Sequence, residues 1–140
     1  MFAPYRSHAS AYRQLDVETS LEDASPHRMI ELLYDGAIEA IRRAITAISR
    51  GDVAARGEAV GRAIRIIDEG LKGSLDARAG EVAERLRSLY DYIGRRLLAG
   101  SVSNDAQALE EAIALIDELR SAWTQIPAEA RRAPAQAAYR

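Results

Sequence analysis

The stretch Ser25–Asp52, SPHRMIELLYDGAIEAIRRAITAISRGD, carries one apolar pattern over several helical turns. Its large apolar side chains recur at spacings of four and three residues: Tyr34, Ile38, Ile41, Ile45 and Ile48. A second, mostly small stripe runs beside the first: Ile30, Leu33, Ala37, Ala40, Ala44 and Ala47. Two adjacent stripes make a wide apolar face. The sequence therefore predicts a long helix that lies well inside an all-α bundle.

Both ends of this helix carry capping residues. The Ser25 hydroxyl can accept from a first-turn N–H, and Pro26 has the φ angle of the first helical position. At the other end, Gly51 tolerates a left-handed conformation, and Asp52 can cap a following helix. We expect the first helix to end near Arg50 and a second to begin directly after it.

The second predicted helix ends near Gly73 and has an inner stripe at helical spacing. Its members are Val60, Ile64, Ile67, Leu71 and Leu75. The helix also contains Gly57, Gly61 and Gly70, each about 1 kcal/mol less favourable than alanine in a helix interior. Close packing, simple tolerance and a pliable helix that a partner orders are all compatible with these glycines.

A third helix is predicted from about Glu81 to Ala99, with Tyr90 and Tyr92 flanking its inward stripe. The inward residues are Val82, Leu86, Leu89, Ile93 and Leu97. The segment GSVSND (100–105) then predicts a turn that ends in a helix cap at Asn104 or Asp105. The fourth helix has a near-heptad stripe and ends at Pro127. That stripe contains Leu109, Ala112, Ile116, Leu119 and Trp123.

Four helices with short connections fold most simply as an antiparallel up-down four-helix bundle. We assign residues 25–126 to this bundle, 1–24 to a mobile or short-helical N-terminal arm, and 127–140 to a flexible tail. The triplet LYD occurs at 33–35 and again at 89–91, but the residues around the two copies do not align. The triplets are therefore not a duplication, and they lie on the first and third helices, which are diagonal in such a bundle.

Within each triplet we expect the leucine to be core and the aspartate to be polar or paired with an arginine. Tyr34 continues the isoleucine stripe, which indicates a core-edge anchor, whereas Tyr90 only flanks its own stripe, which indicates a groove wall. Trp123 is predicted to be a core plug, and His27 a solvent-exposed residue near the first cap.

Composition excludes several classes of function. The net charge of -2 leaves no overall attraction to nucleic acid or anionic lipid. There is no cysteine, and charges interrupt every apolar run, so we expect a cytoplasmic protein with no membrane insertion. The only histidines are His8 and His27, and no phosphate-binding loop or nucleophile elbow is present. We therefore predict no catalytic, cofactor-binding or metal-binding residues, and no enzymatic activity.

Five segments together resemble the FliS family of flagellin export chaperones. They are AYRQLDVETS (11–20), ASPHRMIELLYDGAIEAI (24–41), RAIRIIDEGLKGSLD (62–76), LYDYIGRRL (89–97) and LRSAW (119–123). The resemblance implies a chaperone that binds the C-terminal segment of flagellin, prevents its premature polymerisation and delivers it to the gate of the flagellar type III export apparatus. It also implies that the arm, with Tyr12, covers part of a groove until flagellin arrives.

On this hypothesis we expect flagellin contacts at Tyr12, Ile64, Ile67, Leu71, Tyr90 and Tyr92. The chain would act as a monomer or weak homodimer. The alternative is a non-enzymatic helical adaptor, or a self-associating bundle, with a different protein partner.

Overall fold

The structure, a computed structural model, describes residues 25–126, which form four α-helices and contain no strand. The helices are α1 (Pro26–Arg50), α2 (Val53–Arg65), α3 (Glu81–Ser103) and α4 (Ala106–Thr124). Between α2 and α3 lie a π-helical segment, Ile66–Leu71, and two 3₁₀ turns, Lys72–Ser74 and Ala77–Ala79. The predicted arm and tail, and with the arm Tyr12, lie outside the described residues.

The helices form a closed ring around one core. α1 packs against α2 and α4, while α3 packs against α4, α2 and the irregular segment that follows α2. This arrangement places α1 and α3 on the diagonal and confirms the predicted all-α, four-helix bundle. Both predicted stripes of α1 face the core, with only Ile45 and Ile48 half-buried.

The predicted boundaries of α1 are confirmed by its caps. The Ser25 hydroxyl accepts from the Arg28 N–H at 3.1 Å. Gly51 has a φ of 69°, the left-handed conformation expected after a helix end. The Asp52 carboxylate accepts from the Ala55 N–H at 3.0 Å and so caps the N-terminus of α2.

Helical backbone of the second helix continues to Ser74, which confirms the predicted end near Gly73, but the prediction was wrong in the type of helix, because regular α-helix ends at Arg65. The six residues Ile66–Leu71 form a π-helical segment instead. This wider turn keeps Ile66, Ile67, Gly70 and Leu71 all buried. Buried residues at positions i, i+1, i+4 and i+5 fit one face of a regular α-helix equally well, which is why the inner stripe did not reveal the change.

Two predictions for the third helix were also wrong. The helix continues through Gly100 to Ser103, and only Asn104, with a φ of 53°, makes the turn to Asp105, which caps α4. Gly100 lies where α3 and α4 approach each other closely, since a Cβ at this position would be 2.6 Å from Leu109 Cδ1. Val82 is 56% exposed, and its neighbour Ala83 faces inward instead. The fourth helix ends at Thr124, shortly before Pro127.

The first turn of α1 and the last turn of α4 are joined by two side chains. Trp123 is buried and its indole N–H donates to the His27 carbonyl at 2.8 Å, which confirms Trp123 as a core plug. The prediction of an exposed His27 was wrong. Its ring is buried and stacks on the Trp123 ring, with centroids 4.5 Å apart and planes 12° apart.

Candidate functional site

The centre of the bundle contains the two tyrosines of the LYD triplets. Their hydroxyl oxygens are 2.8 Å apart, and each side chain is only 1% exposed. The bond joins the diagonal helices α1 and α3. Tyr34 is therefore fully in the core rather than at its edge, and the prediction of Tyr90 as a groove wall was wrong for this state, since the side chain is buried.

One edge of α3 exposes apolar side chains. Leu98 is 57% exposed and Val102 is 75% exposed, one helical turn apart. Asp91, two turns earlier on the same face, accepts from the Lys72 ammonium at 2.7 Å, just beyond the π-helical segment. The opposite face of α3 binds Glu111 of α4. Leu98 and Val102 therefore lie on the edge of α3 that faces α2.

The facing edge of α2 carries apolar side chains beside Arg56, whose guanidinium donates to Asn104 Oδ1 at 2.8 Å. Arg62 lines a cavity between α1 and α2, and Ile64, two residues later, projects from the opposite side of the helix, toward α3. Val53 and Gly57 share that side with Ile64, at spacings of four and seven residues. We call the surface formed by Val53, Gly57 and Ile64 of α2 with Gly94, Leu98 and Val102 of α3 the α2–α3 groove.

The α2–α3 groove is open where its glycines lie. A Cβ added at Gly57 or Gly94 would meet no other atom within 4 Å. Close packing therefore does not account for Gly57. The contact between α2 and α3 is also the least extensive among neighbouring helices. The groove thus has room for the backbone of a bound segment to approach both helices.

The structure distributes the predicted contact residues over three environments. Ile64 is half-buried and borders the α2–α3 groove. Ile67 and Leu71 are buried in the π-helical segment, as Tyr90 is in α3. Tyr92 lies on the opposite face of α3, where its hydroxyl donates to the Glu111 carboxylate at 2.9 Å.

Three groove residues were missed by sequence reasoning: Val53, Leu98 and Val102. All are exposed apolar residues that fall outside the inner stripes. One signal could have revealed two of them. Leu98 and Val102 are four residues apart and lie outside the inner stripe of their helix, so they form a short second apolar stripe.

Ion pairs hold the elements around the groove in place. The hydrogen bond to Asp91 raises the pKa of Lys72, and Asp68 lies 3.6 Å from the same ammonium. The bond from Lys72 in turn lowers the pKa of the Asp91 carboxyl. The partner of Asp91 is thus a lysine and not the expected arginine, whereas Asp35 does pair with Arg120 of α4.

Residues 25–126 contain no group of three or more histidine, aspartate or glutamate side chains that could hold a metal ion. None of the four helices combines the length and apolar character of a membrane span.

A groove like the one between α2 and α3, lined by apolar side chains, is the sort of surface on which an amphipathic helix of another protein can dock. The family described as Flagellar protein FliS matches residues 8–130. The chain is 50% identical to the flagellar secretion chaperone FliS of Salmonella typhimurium over 121 residues, which cover 86% of this chain and 90% of that protein. It is 40% identical to the flagellar secretion chaperone FliSB of Pseudomonas aeruginosa, over 82% of this chain and 91% of that one. The chain belongs to the FliS family of flagellar secretion chaperones.

Proposed function

We propose that this chain binds the C-terminal segment of flagellin along the α2–α3 groove. The bound segment is kept from polymerising and is delivered to a gate component of the flagellar type III export apparatus. The protein acts in the cytoplasm and without catalysis. The observation that carries the proposal is the exposure of Leu98 and Val102, one turn apart, on the edge of α3 that faces Ile64.

The groove suits a segment with an apolar helical stripe. Such a helix places side chains at spacings of three, four and seven residues into a groove between two other helices. Covering a largely exposed leucine or valine contributes about 1–2 kcal/mol. The open space at Gly57 and Gly94 lets the backbone of the bound segment come close. A chaperone of this kind hides the apolar surface that flagellin would otherwise use for assembly.

The proposed contacts combine the groove with the residues predicted from sequence. Ile64 and the groove residues of α3 are accessible in this state, and Tyr92 is partly accessible. Contact of flagellin with Ile67, Leu71 or Tyr90 requires these buried side chains to be uncovered on binding. Tyr12 remains a proposed movable cover. The free protein is proposed to be a monomer or a weak homodimer.

Titration calorimetry with a C-terminal flagellin peptide tests this proposal. We expect an equimolar complex with the unmodified chain, and at least tenfold weaker binding after Leu98→Asp with Val102→Asp, a loss of about 1.4 kcal/mol or more. Val82→Asp is the matched control for Leu98→Asp alone, because Val82 is as exposed as Leu98 but lies near the start of α3, outside the groove. Absence of binding, or equal weakening by the control, would contradict the groove assignment.

The alternative function is a self-associating bundle or adaptor, which the same exposed Leu98 and Val102 would serve. That alternative predicts dimers in the absence of flagellin. Static light scattering of the purified chain, alone and with the peptide, distinguishes the two. A persistent dimer that Leu98→Asp dissociates, together with no response to the peptide, would establish the alternative.

A further inference from the structure

A second groove, between α1 and α2, is lined by arginine. It lies on the side of α2 opposite to the α2–α3 groove. Its basic residues are Arg43 and Arg50 from α1 and Arg62 and Arg65 from α2. Its acidic residues are Glu58 and Asp52. Four arginines thus lie with three carboxylates when Glu39, the partner of Arg43, is counted, in a chain whose net charge is -2.

The Arg43 guanidinium is only loosely held within the chain. Asp52 already accepts from the Ala55 N–H as the cap of α2. Arg43 pairs with Glu39 at 3.0 Å, but both side chains are more than half exposed. Exposed pairs of this kind contribute little and open readily. A carboxylate that arrives from a partner can therefore compete for the Arg43 guanidinium.

The floor of the groove is made of small side chains. Ala40, Ala55 and Ala59 line a cavity of about 260 Å³ beneath the arginines. A neighbouring cavity of about 220 Å³ contains Ala47 and shares Arg43 and Ala55 with the first, so the two lie side by side along the α1–α2 groove. Alanine lets a third helix approach the two helices closely, because no long side chain holds it away.

We propose that the α1–α2 groove is a second docking surface, and that it takes an acidic helical segment of a partner protein other than the bound flagellin segment. Arg43 and Arg50 are seven residues apart, about 10 Å along α1. Carboxylates two turns apart on a partner helix match that spacing. The planar guanidinium binds a carboxylate through two parallel hydrogen bonds, which favours recognition of glutamate and aspartate.

Charge and shape both favour an acidic helix over nucleic acid. A nucleic-acid surface needs a broad concentration of positive charge in a basic domain. Here the chain is acidic overall, and the arginines line a groove together with alanines. The groove therefore matches a rod of limited width that carries carboxylates along one face.

Fluorescence anisotropy with a model peptide tests the proposal on the full-length chain. The probe is a labelled alanine-rich helix of about 20 residues, long enough to be helical, with glutamates two turns apart. Its control peptide has glutamine at those positions. We expect saturable binding of the glutamate peptide only, and weaker binding at higher salt. We expect Arg43→Gln with Arg62→Gln to weaken binding at least tenfold.

The matched control is Arg85→Gln with Arg95→Gln, which removes the same charge from exposed positions on α3. Unchanged peptide binding by this variant supports a specific groove. Equal weakening by both double variants would overturn the proposal, since it would show only general electrostatic attraction. Equally tight, arginine-dependent binding of a single-stranded oligonucleotide of similar length would also overturn it, as would a dimer that Arg62→Gln dissociates. Binding of the flagellin peptide should stay unchanged in the Arg43→Gln, Arg62→Gln variant.

Discussion

The hydroxyl groups of Tyr34 and Tyr90 meet at 2.8 Å across the diagonal of the bundle. Each hydroxyl belongs to a different LYD triplet, and both rings are buried. Since α1 and α3 otherwise make little direct contact, this bond connects two helices that do not pack against each other. The two triplets thus act together as one element of the core.

We expect Tyr34→Phe and Tyr90→Phe each to lower the free energy of unfolding by about 1 kcal/mol, because each removes the shared hydrogen bond. The double variant should lose less than the sum of the two single variants, by about 0.5 kcal/mol or more. Urea unfolding of the four proteins measures this coupling. Strictly additive losses would show that the hydroxyls do not interact in solution.

Gly100 is expected to be intolerant of alanine. An added Cβ would lie 2.6 Å from Leu109 Cδ1 and 2.9 Å from Ala108 Cβ, so α3 and α4 must separate locally. We expect Gly100→Ala to lower stability by about 1–3 kcal/mol. Gly94→Ala on the same helix is the control. Its Cβ meets no atom within 4 Å, so it should gain up to about 1 kcal/mol from helix propensity. Thermal unfolding compares the two, and similar effects would contradict the predicted close contact.

Trp123→Phe tests the junction between α1 and α4. The substitution keeps a stacked ring beside His27 but removes the indole N–H that donates to the His27 carbonyl. We expect a loss of about 1–2 kcal/mol, because a buried carbonyl loses this donor. The chain has one tryptophan, so its emission in the unmodified protein reports this junction directly. Its emission should shift to the red in the main unfolding transition, and an earlier shift would show that the junction opens separately.

The Lys72–Asp91 pair should make stability depend on pH at both extremes. The pKa of Asp91 is lowered in the folded protein. Its contribution to the free energy of unfolding is therefore fully present above the ordinary pKa of 3.8, and it is lost as the pH falls through the lower pKa of the folded state. The pKa of Lys72 is raised, so its contribution is lost as the pH rises through a folded value above 10.5. Lys72→Met should therefore cost up to about 1 kcal/mol at neutral pH and much less in strong acid.

Urea unfolding of the unmodified chain and Lys72→Met at neutral and strongly acidic pH measures this difference. Arg85→Met is the control, since Arg85 forms an exposed pair with Glu81 within one helix. That variant should change stability less than Lys72→Met at neutral pH. A constant difference between Lys72→Met and the unmodified chain at all pH values would assign the effect to packing of the side chain instead.

Most of the fold was predictable because local signals agreed with each other. The Ser25–Pro26 cap, the two stripes of α1 and the Gly51–Asp52 turn each follow from the conformational preferences of single residues. The π-helical segment was not predictable in this way, because its buried residues, Ile66, Ile67, Gly70 and Leu71, would form one face of a regular α-helix equally well. Gly100 was assigned to a turn because glycine serves turns and close contacts equally well, and only the position of Leu109 decides between them.

The candidate site was predictable only in part. Apolar spacing places Ile64 on a helix face, but it does not say how much of the side chain a neighbouring helix covers. Tyr90 and Tyr92 flank the same stripe, yet one is buried against Tyr34 and the other binds Glu111. Such differences depend on which helix lies next to each face, and that information arises only from tertiary packing.

The stacking of His27 on Trp123 has a topological consequence. It brings the first turn of α1 and the last turn of α4 into contact, so the described chain enters and leaves the bundle at one pole. A short peptide linker from Ile126 back to Ser25 would close the described bundle into a circle, and new termini at the exposed Gly51–Asp52 turn would leave every core helix intact. The helices should therefore pack in the same way when the chain connects them in a different order.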